Sequence, residues 1–316
     1  MKTESFADMS VAHGNVARRR RCHAAQAKTS RQHWIGWLLL AVLAAACLAI
    51  RAALIPWVFM WAMAVSIFAG FKWQTWWEQR CTAPKASWKR SAAYLLLWPG
   101  MEAEQFLDRT SPQPEIWARE WLSAALKTIA GTALILASKS ALLASRPLVA
   151  SWVGMAGMVM ILHFGTFSLL ALAWKRAGIR AEAIMRRPLT SQSLGEFWGK
   201  RWNLGFRKLS HDLVFRPLQR RYGVVAGNLG AFLASGLLHE LVISVPARAG
   251  YGLPTVYFLI QGAGVLVERS PLGQRLRLCG GTPGGIWTVL IVAGPSPLLF
   301  HPWFVLRVVL PFLRAI

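Results

Sequence analysis

The sequence predicts an all-α, polytopic transmembrane helical bundle of about seven to eight spans, with a few short re-entrant or interfacial helices. Three observations lead there. Of 316 residues, 55% are hydrophobic and 17 are tryptophan, which leaves too little polar surface to coat a soluble globule. Apolar runs recur that reach or approach the roughly 17–25 residues a helix needs to cross hydrocarbon. The basic side chains that give the net charge of +23 lie between those runs rather than within them.

Residues 1–33 form a basic tail with Arg18-Arg19-Arg20-Arg21, Lys28 and Arg31 and almost no large apolar side chains, the composition of a disordered segment. The apolar run that follows, with Ala44-Ala45-Ala46 before Cys47, imitates a signal peptide, but so long a charged lead favours a retained first helix. Seven runs are candidate spans: 34–50, 52–71, 121–137, 148–174, 224–245, 253–267 and 286–299. The run 92–98 stops at Pro99-Gly100 and is too short to cross, so it reads as re-entrant or interfacial. The run 303–312 is a similar short element, or the second half of a helix broken at Pro295-Ser296-Pro297. With no repeat and no phosphate-binding glycine loop, 34–316 reads as one membrane domain.

The excess positive charge would suggest nucleic acid in a soluble protein; here orientation rules account for it. Residues 1–33, 72–120 and 175–223 are rich in Lys and Arg, whereas the segments near 51, 138–147 and 246–252 carry one or two each. A cytoplasmic N-terminus with seven crossings puts every basic segment in the cytoplasm, and no nucleic-acid partner is expected. The expected location is a multi-pass place in a membrane, the bacterial inner membrane being the expected one. Cys22, Cys47, Cys81 and Cys279 show no paired spacing, so no disulfide and no metal site is expected.

In 175–223, Leu194, Phe197, Trp198, Trp202, Phe206, Leu209 and Leu213 fall mostly three or four apart, which describes an amphipathic helix at the cytosolic interface. Lys200, Arg201, Arg207 and Lys208 surround the stripe. They suit anionic lipid, or an anionic cosubstrate such as a nucleotide-linked acyl donor. Asn203 at the stripe's edge is either a polar-face residue or part of a site.

His239 lies well inside its run, where an ionisable group is costly unless it faces protein or a wet cavity. Gly227, Ala231 and Ser235 lead to it in steps of four, so that side of the helix admits close approach. A neutral imidazole there is a suitable general base for a hydroxyl; a histidine bonded to a neighbouring helix is the plain alternative. Glu240 sits about 100° round the helix and cannot readily share that imidazole. His163 lacks comparable small or acidic neighbours and reads as structural.

Three stretches in order, "YLLLWPGMEAEQF" (94–106), "EFWGKRWNLGFR" (196–207) and "SGLLHELVISVP" (235–246), resemble the wax-synthase-like branch of the membrane-bound O-acyltransferase superfamily, over a motif core of about 90–270. The resemblance implies transfer of a fatty acyl group from acyl-CoA, as cosubstrate, to a lipophilic alcohol, with no further cofactor. It places the family's histidine on His239, as base, and its asparagine on Asn203, as orienting or polarising group. Glu240, Trp202 and Ser235 would support them, and Lys200, Arg201, Arg207 and Lys208 would hold acyl-CoA. The sequence leaves open a transporter or a noncatalytic lipid-binding protein, the identity of the alcohol, and the oligomeric state.

Overall fold

A computed structural model describes residues 36–82, 86–108 and 115–316. The basic tail 1–33 lies outside the described residues. Every regular element among them is helical. In chain order these are α1 (Gly36–Ala49), α2 (Pro56–Thr82), α3 (Trp88–Leu97), α4 (Ala103–Leu107), α5 (Ala118–Ser138) and α6 (Pro147–Arg176). After an irregular stretch come α7 (204–222) and α8 (224–242), then α9 (Leu253–Arg269), α10 (Gly281–Ala293) and α11 (Pro302–Ala315).

Three helical stretches are long and apolar enough to cross a membrane: Ala118–Ser138, Pro147–Arg176 and Leu204–Ala247. A fourth is added if Gly281–Leu299 and Pro302–Ala315, bent by 59°, count as one. That is fewer than the seven to eight spans expected, for reasons visible in each element. α9 has only 17 residues and α10 only 13. α2 has 27, but Lys72, Gln74, Glu78, Gln79 and Arg80 dilute its second half. The helix does break at the prolines, ending at Ala293 before a short turn at Ser296–Leu299, and the 59° bend follows between Leu299 and Pro302.

The 44 residues of Leu204–Ala247 would extend about 66 Å as one helix, twice the hydrocarbon thickness. They are folded in half at Gly223, where φ is 86° and ψ is 173°, backbone angles essentially confined to glycine. Beyond the turn, a Cβ on Gly227 would stand 2.9 Å from the Phe215 carbonyl oxygen, and one on Gly230 would overlap Leu218. α7 and α8 therefore lie back to back and antiparallel. Leu209 and Leu213 on α7 share a core cluster with Leu238 and Leu241 on α8.

The amphipathic stripe expected as one helix is broken. Leu194–Glu196 is one short helical turn, Phe197–Arg201 is π-helical, and Asn203 takes a left-handed conformation (φ 45°) before α7 begins. Asn is among the few residues that accept this conformation at small cost. The second half of the stripe then packs along α8.

Two carboxylates cap helices other than their own. Glu268, at the end of α9, accepts the Leu194 and Gly195 N–H groups. Glu240 on α8 accepts the Gly252 N–H (3.0 Å), the Thr255 N–H (3.1 Å) and the Thr255 hydroxyl (2.9 Å), so the α9 N-terminus is capped from a neighbouring helix. α9 crosses α8 closely: a Cβ on Gly236 would meet Thr255 Cα at 2.7 Å, and Asn228 donates to the Gly262 carbonyl at 2.9 Å. At the other edge, buried Lys72 donates to the Gly100 carbonyl with its ammonium 3.4 Å from the Tyr94 ring centroid. That bond ties the Trp98-Pro99-Gly100 turn to α2.

Gly223→Ala forces a side chain into the glycine-only region and is expected to cost roughly 1–3 kcal/mol. In detergent, its thermal midpoint should fall clearly. Gly280→Ala, where no atom lies within 4 Å of the added Cβ and φ is −178°, should stay within about 0.5 kcal/mol of the parent protein.

Candidate active site

The helices enclose a largely apolar cavity of about 3070 Å³. Ligand pockets for drug-sized molecules run to roughly 300–1,000 Å³, so this space suits a long chain together with a second lipid. His239, Ser235, Asn203 and Trp202 all line it, as do Trp98 and Pro99. All three stretches singled out in the sequence therefore border one cavity.

α8 carries His239, whose Nδ1 lies 2.7 Å from the Ser235 carbonyl oxygen one turn earlier. A carbonyl only accepts, so Nδ1 bears the hydrogen and the Nε2 lone pair of the neutral ring remains available. The ring packs against Phe258 of α9 with centroids 4.4 Å apart. Ser235 supports the histidine through its backbone, because its hydroxyl donates to the Ala231 carbonyl.

Asn203 reaches the cavity from the break before α7. Its side chain makes no capping bond, and its backbone N–H points at Met185 Sδ, 3.2 Å away. The break is held by two backbone bonds, Arg186 N–H to the Arg201 carbonyl (2.8 Å) and Leu204 N–H to the Ile184 carbonyl (2.9 Å). Measured from the Gly223 turn at about 1.5 Å per residue, Asn203 lies about 30 Å along α7 and His239 about 24 Å along α8. The hairpin thus brings both toward the same end of the pair, about one helical turn apart in height.

Trp202 stacks on Phe197, with centroids 5.4 Å apart. Trp198, absent from the expected site, donates from Nε1 to Gln261 (3.3 Å) and meets Phe232 and Phe258 edge-on or tilted. His163 is also on the cavity wall, in a π-helical stretch, Met160–Thr166, with its ring 6.5 Å from Trp202. The sequence reading set it aside for want of small or acidic neighbours along its own helix. Its neighbour Trp202 comes from a different segment.

Glu240 is absent from the cavity wall and is bonded to the start of α9. The four expected cations behave differently from one another. Lys200 is exposed and lies off the cavity wall, whereas Arg201, Arg207 and Lys208 border it. Arg201 is paired with Glu196 (2.7 Å) and bonded to Thr190 Oγ1 (2.6 Å). Arg207 donates to the Gly199 carbonyl, and Lys208 pairs with Glu104 (3.1 Å). The Gln192 N–H and the Arg201 guanidinium hold the Glu196 carboxyl below its usual range. Lys175, Arg186, Arg187 and Arg269 also border the cavity. The first three belong to the basic segment already noted, while Arg269 comes from the end of α9. Among the described residues no three His, Cys, Asp or Glu side chains converge as metal ligands.

The architecture is that of a helical membrane protein built around a lipid-sized chamber with a histidine and an asparagine on its wall. Residues 181–260 match the membrane bound O-acyl transferase family, and this segment holds both Asn203 and His239. Similar proteins include long-chain-alcohol and sterol acyltransferases. A probable long-chain-alcohol O-fatty-acyltransferase 3 of Arabidopsis thaliana is 30% identical over 145 residues, 42% of either chain. The long-chain-alcohol O-fatty-acyltransferase of Simmondsia chinensis is 30% identical over 130 residues, 37% of either chain. An acyl-CoA–sterol O-acyltransferase 1 of Arabidopsis thaliana is 30% identical over 113 residues, 31% of this chain and 33% of the relative. The match thus spans about two fifths or less of each relative's length. These relatives are plant proteins and lend nothing to the expected bacterial inner membrane.

The cap supplied by Glu268 holds the start of the segment that carries Trp198 and Asn203. Glu268→Ala removes the acceptor of two backbone N–H groups and should lower stability by roughly 1–3 kcal/mol. Glu268→Gln, which keeps one acceptor oxygen, should lose less. Thermal midpoints of the two variants in one detergent rank them.

Proposed function

We propose that this chain is an integral-membrane O-acyltransferase that moves a fatty acyl group from acyl-CoA to a lipophilic alcohol. The observation that carries the reading is the His239 imidazole, held through Nδ1 so that its Nε2 lone pair is free, on the wall of a chamber that Asn203 also lines and that is large enough for two lipid chains. The names of the similar proteins, long-chain-alcohol and sterol acyltransferases, support the donor and acceptor classes.

In this reading the acyl chain and the alcohol lie in the apolar chamber, and the alcohol's hydroxyl donates to His239 Nε2. As the alcohol oxygen attacks the thioester carbonyl, its proton passes to Nε2. The Asn203 amide donates to the carbonyl oxygen as negative charge grows there. Collapse of the tetrahedral intermediate forms the ester and breaks the carbon–sulfur bond, and the imidazolium returns its proton to the departing CoA sulfur. The thioester is already activated, so no covalent acyl-enzyme is needed. Trp198, Trp202 and Phe258 exclude water that would otherwise hydrolyse the thioester. Arg187, Arg207 and Arg269, on the cavity border, are suited to the CoA phosphates. In this arrangement the Gly223 turn, flanked by Arg216, Arg220 and Arg221, faces the cytoplasm.

His239→Ala should lower kcat by a factor on the order of 10²–10⁴ while leaving acyl-CoA binding intact. Asn203→Ala should also lower turnover, and the double variant should lose less than the product of the single losses if both groups serve one transition state. Assays with labelled acyl-CoA and a panel of fatty alcohols and sterols measure this. Near-normal turnover from folded His239→Ala protein would end the mechanism.

The orientation is tested separately. Arg221, beside the Gly223 turn, and Arg248, beyond the far end of α8, are both exposed. Single cysteines there, in a cysteine-free background, should react oppositely with an impermeant thiol reagent on intact cells, position 248 being labelled from outside.

A further inference from the structure

Of the four buried side-chain polar atoms off the cavity wall that lack hydrogen-bond partners among the described residues, two are complementary, Glu240 Oε2 and His301 Nε2. Glu240 uses Oε1 for the three bonds that cap α9, while its Oε2 is buried with no hydrogen-bond partner. His301 is completely buried, and its Nδ1 accepts the Phe304 N–H at 3.1 Å, capping the start of α11. The ring hydrogen therefore sits on Nε2, which is buried and without a partner as well. One group is an orphan acceptor and the other an orphan donor. Leaving either unpaired in a buried place is costly.

Both groups abut the same short turn. A Cβ on Gly250 would strike the His301 ring at 2.5 Å, and two residues later the Gly252 N–H donates to Glu240. Three walls of the chamber meet here: His239 precedes Glu240 on α8, Phe258 follows the capped turn of α9, and Phe304 is the residue whose N–H His301 holds.

We propose that Glu240 and His301 form a buried polar clamp, closed by a single water between Oε2 and Nε2–H, that positions α8, α9 and α11 around the chamber. Both are positioning residues, since neither lines the cavity. The clamp keeps Phe258 against the His239 ring and Phe304 in the cluster that packs beside it. Its catalytic consequence rests on the acyltransferase reading; the clamp itself does not.

The test separates helix capping from the clamp. His301→Ser keeps an acceptor for the Phe304 N–H but removes the donor toward Glu240, whereas His301→Asn keeps both. In full-length protein, His301→Ser should lower the thermal midpoint and reduce kcat about tenfold with the KM for acyl-CoA unchanged, the signature of a displaced wall. His301→Asn should recover most of both. Glu240→Gln can turn a donor toward the ring's own donor and should also destabilise, and adding His301→Ser to it should cost less than the sum of the two single effects. Parent-like stability and turnover for His301→Ser, or strictly additive losses in the double variant, would overturn the clamp. If the parent protein transfers no acyl group, the acyltransferase reading falls, and the midpoints alone still decide the clamp.

Discussion

The site depends on the back-to-back packing of α7 and α8 across Gly223. Neither helix alone carries both candidate groups: Asn203 sits at the start of one and His239 near the end of the other. Only a tight antiparallel return brings them toward the same end of the pair. That return needs a residue with φ of 86° at the turn and glycines at 227 and 230, where the helices touch. A side chain at either contact would separate the helices by the width of a methyl group or more, enough to move a proton donor out of reach of its acceptor.

A second constraint is the supply of hydrogen-bond partners where water is scarce. Helix ends expose N–H groups that a lipid environment cannot satisfy, and this chain answers with carboxylates from neighbouring helices. Glu268 caps the segment leading to Trp198, and Glu240 caps α9. Each bond joins elements far apart in sequence, so satisfying the backbone also fixes the tertiary arrangement around the chamber. Lys72, bonded to the Gly100 carbonyl beneath the Trp98-Pro99 wall, works the same way with opposite charge.

The strong positive charge divides into two populations. Arg201 and Lys208 are matched with Glu196 and Glu104, and the former ion pair braces the strained approach to Asn203. Arg187 and Arg269 border the cavity from separate segments. A count of basic residues cannot separate these roles, because pairing depends on which carboxylate the fold delivers. This is why Lys200, adjacent to Arg201 in sequence, points away from the chamber.

The sequence by itself determined the helical class, the membrane setting, the three stretches that converge, and the candidacy of His239 and Asn203. Apolar length, the cost of an ionisable group at depth and a motif order are local properties, legible along one chain. It overestimated the number of spans because run length ignores where helices stop, and it drew one amphipathic helix through Asn203 because periodicity does not register a left-handed residue. Only the tertiary structure decided that α7 folds back on α8, that His163 joins Trp202 on the cavity wall, and that Glu240 is bonded to the α9 N-terminus. Each of those rests on partners dozens of residues away. A side chain's role there is set by which distant donor or acceptor arrives within about 3 Å, a distance no local pattern encodes.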